Sequence, residues 1–274
     1  MNFHFPADSG LKSASLPRTV CAMRRLLFLG TLCALAHLTP GHASGLPDNC
    51  SQLIVGLAET WDAGVGHIQC FSRTAHGWQA VTKPQRVLFG TNGLAWGIGL
   101  AGQDEHGLHK KEGDKRAPAG IFGLGKIYTY DSSLPPGADY PFHTVTPADA
   151  WISDPQLPHY NEHVVVDLTN PPPWFKKQQM KQTDPPHRWK IEIRHNEEPP
   201  VPGAGSAIFF HIQRGPNKHS SGCTTMPQDA LLGIIRWLRA ADHPCYVLLP
   251  VAEYRAKWKA WNLPSPAMVG LTGK

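Results

Sequence analysis

Charge is scarce in this chain. Charged residues make up 17% of its 274 positions, too few for a coiled coil or a charge-extended disordered segment. Nor does one sign dominate: the formal charge of +5 is small and scattered, which excludes a nucleic-acid binder built on a basic face. No apolar run reaches membrane-span length; the longest, Leu26 to Leu38, is short and interrupted by Gly30, Thr31 and His37. Internal repeats and low-complexity linkers are missing. The glycine-rich stretch from Gly90 to Gly102 has no phosphate-loop spacing, so its role is turns and bulges. The zinc signature with glutamate directly after the first histidine is also absent.

What is abundant is glycine and proline, 26 of each, beside 41% hydrophobic residues. Both residues break helices and populate turns, so this composition predicts short strands joined by irregular loops around one core.

The amino terminus predicts export. Met23, Arg24 and Arg25 precede the apolar run, and Gly41 and Ala43 supply small residues for cleavage after Ala43. Residues 1–22 carry no helical or strand period, so Met23 is a candidate start. Leu32 directly before Cys33 argues against a lipoprotein site; a retained anchor helix is the alternative to cleavage. Residues 1–43 hold Lys12, Arg18, Arg24, Arg25 and Asp8, which leaves 22 basic against 20 acidic residues in the expected single domain over 44–274. Cys50, Cys70, Cys223 and Cys245 would then sit in an oxidising periplasmic or cell-envelope compartment. Four cysteines allow three full pairings. Proximity along the chain favours a Cys50–Cys70 disulfide across a hairpin.

That hairpin is predicted from Leu53–Leu57, a turn through Asp62 to Gly66, and His67–Arg73. Further strands are expected at Arg86–Phe89, in the short segment after the turn at Asp114, at Ile127–Tyr130, His163–Leu168, Trp189–Arg194 and Ala207–Ile212. Residues 131–163 read as a long aromatic loop, and Trp174–Lys181 as one or two helical turns. Beyond Cys223 the period becomes helical, with Pro227 at the start and Ala230, Leu231, Ile234, Ile235 and Leu238 as an apolar stripe. Cys245–Leu249 reads as a buried strand, and Pro250 opens a last amphipathic helix carrying Trp258 and Trp261.

The sharpest local feature is Ser221-Gly222-Cys223-Thr224. A cysteine just before a helix would feel a partial positive charge that favours thiolate, and the Gly222 N–H could help bind an oxyanion. His211, at the end of the preceding strand, is a candidate base. Cysteine and histidine together are the minimum for acyl transfer through a thioester. The competing reading is a structural histidine and a Cys223–Cys245 disulfide, in a non-catalytic wall-binding protein.

The run PGAGSAIFFHI, Arg214-Gly215-Pro216 and Ser221-Gly222-Cys223-Thr224-Thr225-Met226 resembles the L,D-transpeptidase catalytic domain, in its divergent branch. The resemblance extends through Asn92 to Gly97, Glu112-Gly113-Asp114, Pro118 to Phe122 and Tyr160-Asn161. It implies a mainly β fold with C-terminal helices, no metal or organic cofactor, and action on peptidoglycan stem peptides. It implies Cys223 as nucleophile, His211 as general base, the Ile212 carbonyl orienting the imidazole, and the Gly222 and Cys223 N–H groups as oxyanion donors. Ser221 and Thr224 would contact substrate. Acylation of Cys223 by a carbapenem-type β-lactam follows as well. Two positions depart from the common motif: Ser221 replaces a histidine, and Thr225 replaces an arginine. Arg214 is the candidate replacement for the lost cation, since guanidinium binds carboxylate bidentately. Transfer to an amine would make the protein a transpeptidase; transfer to water would make it an L,D-carboxypeptidase or an amidase that severs cross-links.

Fifteen histidines invite metal ligation, and His106 with His109 or His159 with His163 have suitable spacings, but neither pair has an evident acidic partner. These read as loop histidines. Lys176, Lys177 and Lys181 read as a solvated face, and Trp96 or Trp151 as a candidate groove wall.

Overall fold

The computed structural model describes residues 45–101, 106–180 and 183–272. The expected export segment and Lys181 lie outside the described residues. The chain opens as an antiparallel pair, β1 (Gln52–Ala58) and β2 (Val65–Thr74), the hairpin its turn residues predict. β3 (Gly77–Ala80) and β4 (Gln85–Leu88) line the free edge of β2 in succession. β5 (Leu94–Trp96) then runs parallel to the start of β6 (Ala117–Thr129).

The sequence reading splits β6 in two; the structure makes it one strand of 13 residues. Its glycines do not interrupt it. They let it bend and change partners, from β5 at Ala117–Ala119 to the later strands Cys245–Pro250 and Trp189–Ile193. β7 (Phe142–Thr144) pairs with its far end, and β8 (Asp149–Trp151) and β9 (His163–Val165) form a small separate hairpin, so the expected long loop carries structure of its own. After the single-turn helix α1 (Phe175–Gln178) come β10 (Trp189–Ile193), β11 (Phe209–Ile212) and β12 (Thr224–Met226). α2 (Gln228–Trp237), β13 (Cys245–Pro250) and α3 (Val251–Lys257) complete the order.

The order β1-β13-β6-β10-β11-β12-β4-β2, closed by the β1–β2 pairing, makes an eight-stranded barrel with extra strands attached. β13 is buried at every position because parallel β1 and antiparallel β6 flank it; that double cover explains its unbroken apolar run CYVLLP. α2 buries Leu231, Ile234 and Ile235 behind β11, as the apolar stripe requires. A β-rich fold with few helices is thus what the chain adopts. No helix among the described residues is long and apolar enough to cross a membrane.

Two expectations fail on register. Cys70 pairs with Ile54, and the pairing runs on to Ser51, whose carbonyl accepts the Arg73 N–H at 2.8 Å, so Cys50 lies past Arg73, about 10 Å along β2 from Cys70 at ~3.3 Å per residue. A disulfide needs Cα atoms within about 7 Å, so the Cys50–Cys70 bridge is not formed, and both thiols are free. The second failure is at Cys223. A three-residue strand, β12, separates it from α2, which starts only at Gln228, so the cysteine does not cap a helix.

Candidate active site

β12 lies parallel to β11, with Phe210 opposite Thr224 and His211 opposite Thr225. β11 in turn pairs antiparallel with β10, where Lys190 lies opposite His211, and Lys190 also pairs with Tyr128 on β6. Directly paired residues share a face, so Tyr128, Lys190, His211 and Thr225 form a row across four strands. Two positions back along β11 and β12, Phe209 and Cys223 fall on that same face. The other face belongs to the core: Phe210 packs edge-on to Tyr246, and the Thr224 hydroxyl meets the Tyr246 hydroxyl at 3.1 Å. Thr224 is therefore not a substrate contact. Period-two alternation places Thr225 in the site instead.

The row opens into a cavity of about 510 Å³ lined by Trp151, Met180, Lys190, Phe209, His211, Arg214, Ser221 and Cys223 among others. Cys223 is partly exposed there, and its Sγ meets the Ala207 carbonyl at 3.5 Å. Burial pushes the thiol up to about 11, against the pull of the Phe209 backbone and the Lys190 and Lys110 cations. The expected helix-end activation is thus absent, and Cys223 rests as a thiol.

His211 is buried, and its Nδ1–H donates to the Ile212 carbonyl at 2.9 Å, the orienting contact expected of a base. A carbonyl can only accept, so Nε2 is the unprotonated, basic nitrogen. Burial first, then His187, Lys190 and Arg214, hold the imidazole down at about 3.

Gly222 meets its role differently. Its N–H donates to Ser220 Oγ at 3.0 Å, and that hydroxyl donates onward to the Cys223 carbonyl at 2.5 Å. The Gly222 N–H is therefore engaged and is not a free oxyanion donor. Glycine is needed for another reason: φ is +148°, and a Cβ would lie 2.9 Å from the Arg116 carbonyl. Ser221 is exposed at the cavity mouth.

Arg214 also lines the cavity, but its guanidinium already grips Asp184 bidentately, Nη1 to Oδ1 at 2.9 Å and Nη2 to Oδ2. Asp184 Oδ2 also meets His187 Nδ1 at 2.9 Å, and the His187 ring stands edge-on to His211 with centroids 4.6 Å apart. Burial, followed by the Lys190 charge, lowers His187 to about 4.

Lys190, His187 and Asp184 went unnoticed in the sequence. The alternation Lys190, Glu192, Arg194 does mark one polar face of a strand. That face looks into the cavity at Lys190 and not into bulk water. Burial lowers the ammonium to about 8, and its Nζ lies 5.2 Å from the Phe209 ring centroid.

The separated motif residues converge beneath β11. Asn161 Oδ1 accepts the Ala207 N–H at 2.9 Å and the Trp151 indole N–H at 3.1 Å, while its Nδ2 donates to the His195 and Asn196 carbonyls at 2.8 Å each. The Tyr160 hydroxyl and Ser206 hydroxyl both donate to Glu112 Oε2, at 2.5 and 2.7 Å. These bonds fix the segment whose Ala207 carbonyl meets the Cys223 sulfur. Trp151 lines the cavity, whereas Trp96 is core, edge-on to Trp61.

The histidine spacings resolve unexpectedly. His159 Nδ1 meets Glu162 at 2.9 Å, and His163 turns away from it. His143 and His163 bring their Nε2 atoms to the same oxygen of buried Asp149, at 2.6 and 2.5 Å, while Thr146 N–H and hydroxyl fill the other oxygen at 2.6 Å each. Two histidines and a carboxylate are a donor set of zinc type. Here they close on one another through hydrogen bonds. Lys176 and Lys177 are exposed, as expected.

No family model matches the chain. No curated protein matches it either. Among solved structures it is similar to the helical cell shape determining protein Pgp2 from Campylobacter jejuni, at 12% identity and a TM-score of 0.37, over 76% of this chain and 51% of that one. The chain thus spans about half the length of Pgp2.

Proposed function

We propose that this protein is an exported cysteine acyl-transfer enzyme of the L,D-transpeptidase type, acting on peptidoglycan stem peptides. The observation that carries the reading is the placement of Cys223 and His211 on one sheet face in one cavity, with the imidazole tautomer set by the Ile212 carbonyl. The resemblance of the Pro202 to Met226 region to that family supports the substrate class.

In this reading a neutral thiol and a neutral imidazole wait for substrate. As Cys223 Sγ attacks the stem carbonyl, His211 Nε2 takes the thiol proton. The tetrahedral oxyanion collapses with loss of the C–N bond, and the proton goes to the departing amine. The thioester then passes to an amine acceptor with the proton flow reversed. The Lys190 cation, cross-strand from His211, stabilises the negative charge that passes through sulfur.

The rival disulfide reading requires Cys245 to reach Cys223. The Cys245 thiol instead donates to the His243 carbonyl at 3.6 Å and lines a different cavity from Cys223. Incubating the purified protein with muropeptides and weighing the products tests the activity. New cross-linked dimers support transfer, shortened stems alone assign hydrolysis, and unchanged substrates with both the protein and its Cys223→Ala variant would overturn the enzyme reading.

A further inference from the structure

Cys50 stands two residues before β1, and Cys245 opens β13. Because these strands run parallel with Leu53 opposite Cys245, both segments arrive at the same end of the same strand pair. The backbone joins them again there: Ser51 N–H donates to the Asp242 carbonyl at 2.8 Å. Both side chains are buried in the main core, the Cys50 thiol donating to the Gln52 carbonyl at 3.4 Å and the Cys245 thiol to the His243 carbonyl at 3.6 Å, and each sulfur is the other's strongest electrostatic neighbour.

We propose that Cys50 and Cys245 form a disulfide in the mature protein, leaving Cys223 as the reactive thiol. The inference rests on the export reading above, because a buried pair of touching thiols stays reduced in a reducing compartment.

The surroundings suit oxidation. Cys245 lines a second cavity, of about 500 Å³, together with Asn49, Gly123, Tyr140 and His243, which gives an incoming disulfide a route to that sulfur, with Cys50 buried behind it. The partner thiol of Cys245 holds Cys50 below the ordinary thiol range, against burial and with help from the Arg73 guanidinium. The Nη2 of Arg73 is buried without a hydrogen-bond partner among the described residues. That guanidinium favours the thiolate form of either sulfur of the pair.

The chemistry is ordinary exchange with a disulfide of a dithiol oxidase or of oxidised glutathione. Cys245, the sulfur that lines the cavity, loses its proton and attacks one sulfur of that disulfide, forming a mixed disulfide and releasing a thiolate. Cys50 gives up its proton and displaces the second sulfur from Cys245, closing the Cys50–Cys245 bond. Two electrons pass to the incoming disulfide, and the two protons end on the two thiols it becomes.

The bridge closes almost the whole folded chain into one loop, where cross-linking restricts the unfolded state strongly. Reduction should lower Tm by about 5–15 °C. The decisive test is peptide mapping, without reduction, of protein isolated from the cell envelope and of reduced protein re-equilibrated with oxidised glutathione. A linked Cys50–Cys245 peptide in both, with Cys223 alkylated, is the expected result. Thiols that stay alkylatable at both positions in oxidised glutathione, or a link to Cys70 or Cys223, overturn the bridge. A bridge that forms in glutathione but is missing from the cellular protein overturns the export reading instead. Product assays with muropeptides, run on the same samples, report separately on the proposed activity.

Discussion

His211 donates its Nδ1–H to the carbonyl of the next residue, Ile212, at 2.9 Å, so the base is held by the backbone of its own strand and needs no carboxylate. Burial outweighs that hydrogen bond and keeps the imidazole neutral down to about pH 3, and burial keeps the proton on the Cys223 thiol up to about 11. That order favours a neutral thiol and imidazole over a pre-formed thiolate–imidazolium pair. Alkylation of Cys223 by iodoacetamide should accordingly climb about tenfold per pH unit from neutrality towards pH 11, since the thiolate is the nucleophile. A rate plateau below pH 7 would contradict this. His211→Gln should leave that alkylation profile nearly in place while cutting turnover of muropeptides by at least about 100-fold, the scale of lost general-base catalysis.

Lys190 sits opposite His211 and is held at about 8, below its ordinary 10.5, by burial. The native state thus binds fewer protons than the unfolded chain between those values, so this residue makes stability rise as pH goes from about 8 to 10.5; below 8 its full penalty applies. Lys190→Met removes the penalty. At pH 7 it should stabilise the protein by on the order of 3 kcal/mol by the free energy of such a shift, while slowing acylation of Cys223 about tenfold or more. Urea unfolding at pH 7 and pH 10 checks the first part: the gain should shrink at the higher pH. A destabilised variant with full activity would sink the account.

Much of this arrangement is legible in the sequence where a strand runs uniformly apolar or alternates cleanly. β1, β2, β4, β11 and β13 sit close to their expected positions because burial on one or both faces writes its period into the residues. β12 does not show, since three residues are too few to carry a period and the helical stripe of α2 begins directly after them. That one strand changes the site: it takes Cys223 off the helix end and turns Thr224 into the core. Cys223, His211 and the Ile212 carbonyl were legible as a local motif. Lys190 and the Asp184–His187–Arg214 cluster were not, because they reach the cavity only through the β10–β11 register and a loop fold.

Arg214 and Asp184 form a pair about half-exposed on the arginine side, and exposed pairs contribute little to stability, about 1 kcal/mol or less. Such a pair can exchange partners. If the guanidinium meets the substrate carboxylate, Asp184 is its competitor. Arg214→Ala should then raise KM for a tetrapeptide stem several-fold with kcat little changed, and Asp184→Asn should lower it. Unaltered KM in both variants would remove Arg214 from substrate binding. The two thermal midpoints should stay within a few degrees of the parent.

Ser220 bridges the nucleophile loop, accepting from the Gly222 N–H and donating to the Cys223 carbonyl. Its hydroxyl holds the turn in which Gly222 takes φ +148° against the Arg116 carbonyl. Ser220→Ala should therefore loosen the placement of Cys223, lowering turnover about tenfold with a stability loss near 1 kcal/mol, the usual worth of a hydrogen bond. Gly222→Ala should do more, costing about 1–3 kcal/mol through backbone strain and contact with Arg116. Parallel measurement of turnover and of urea midpoints separates the two effects. Faster turnover in Ser220→Ala would show instead that the Gly222 N–H, once released, serves the oxyanion, and that the serine restrains the site.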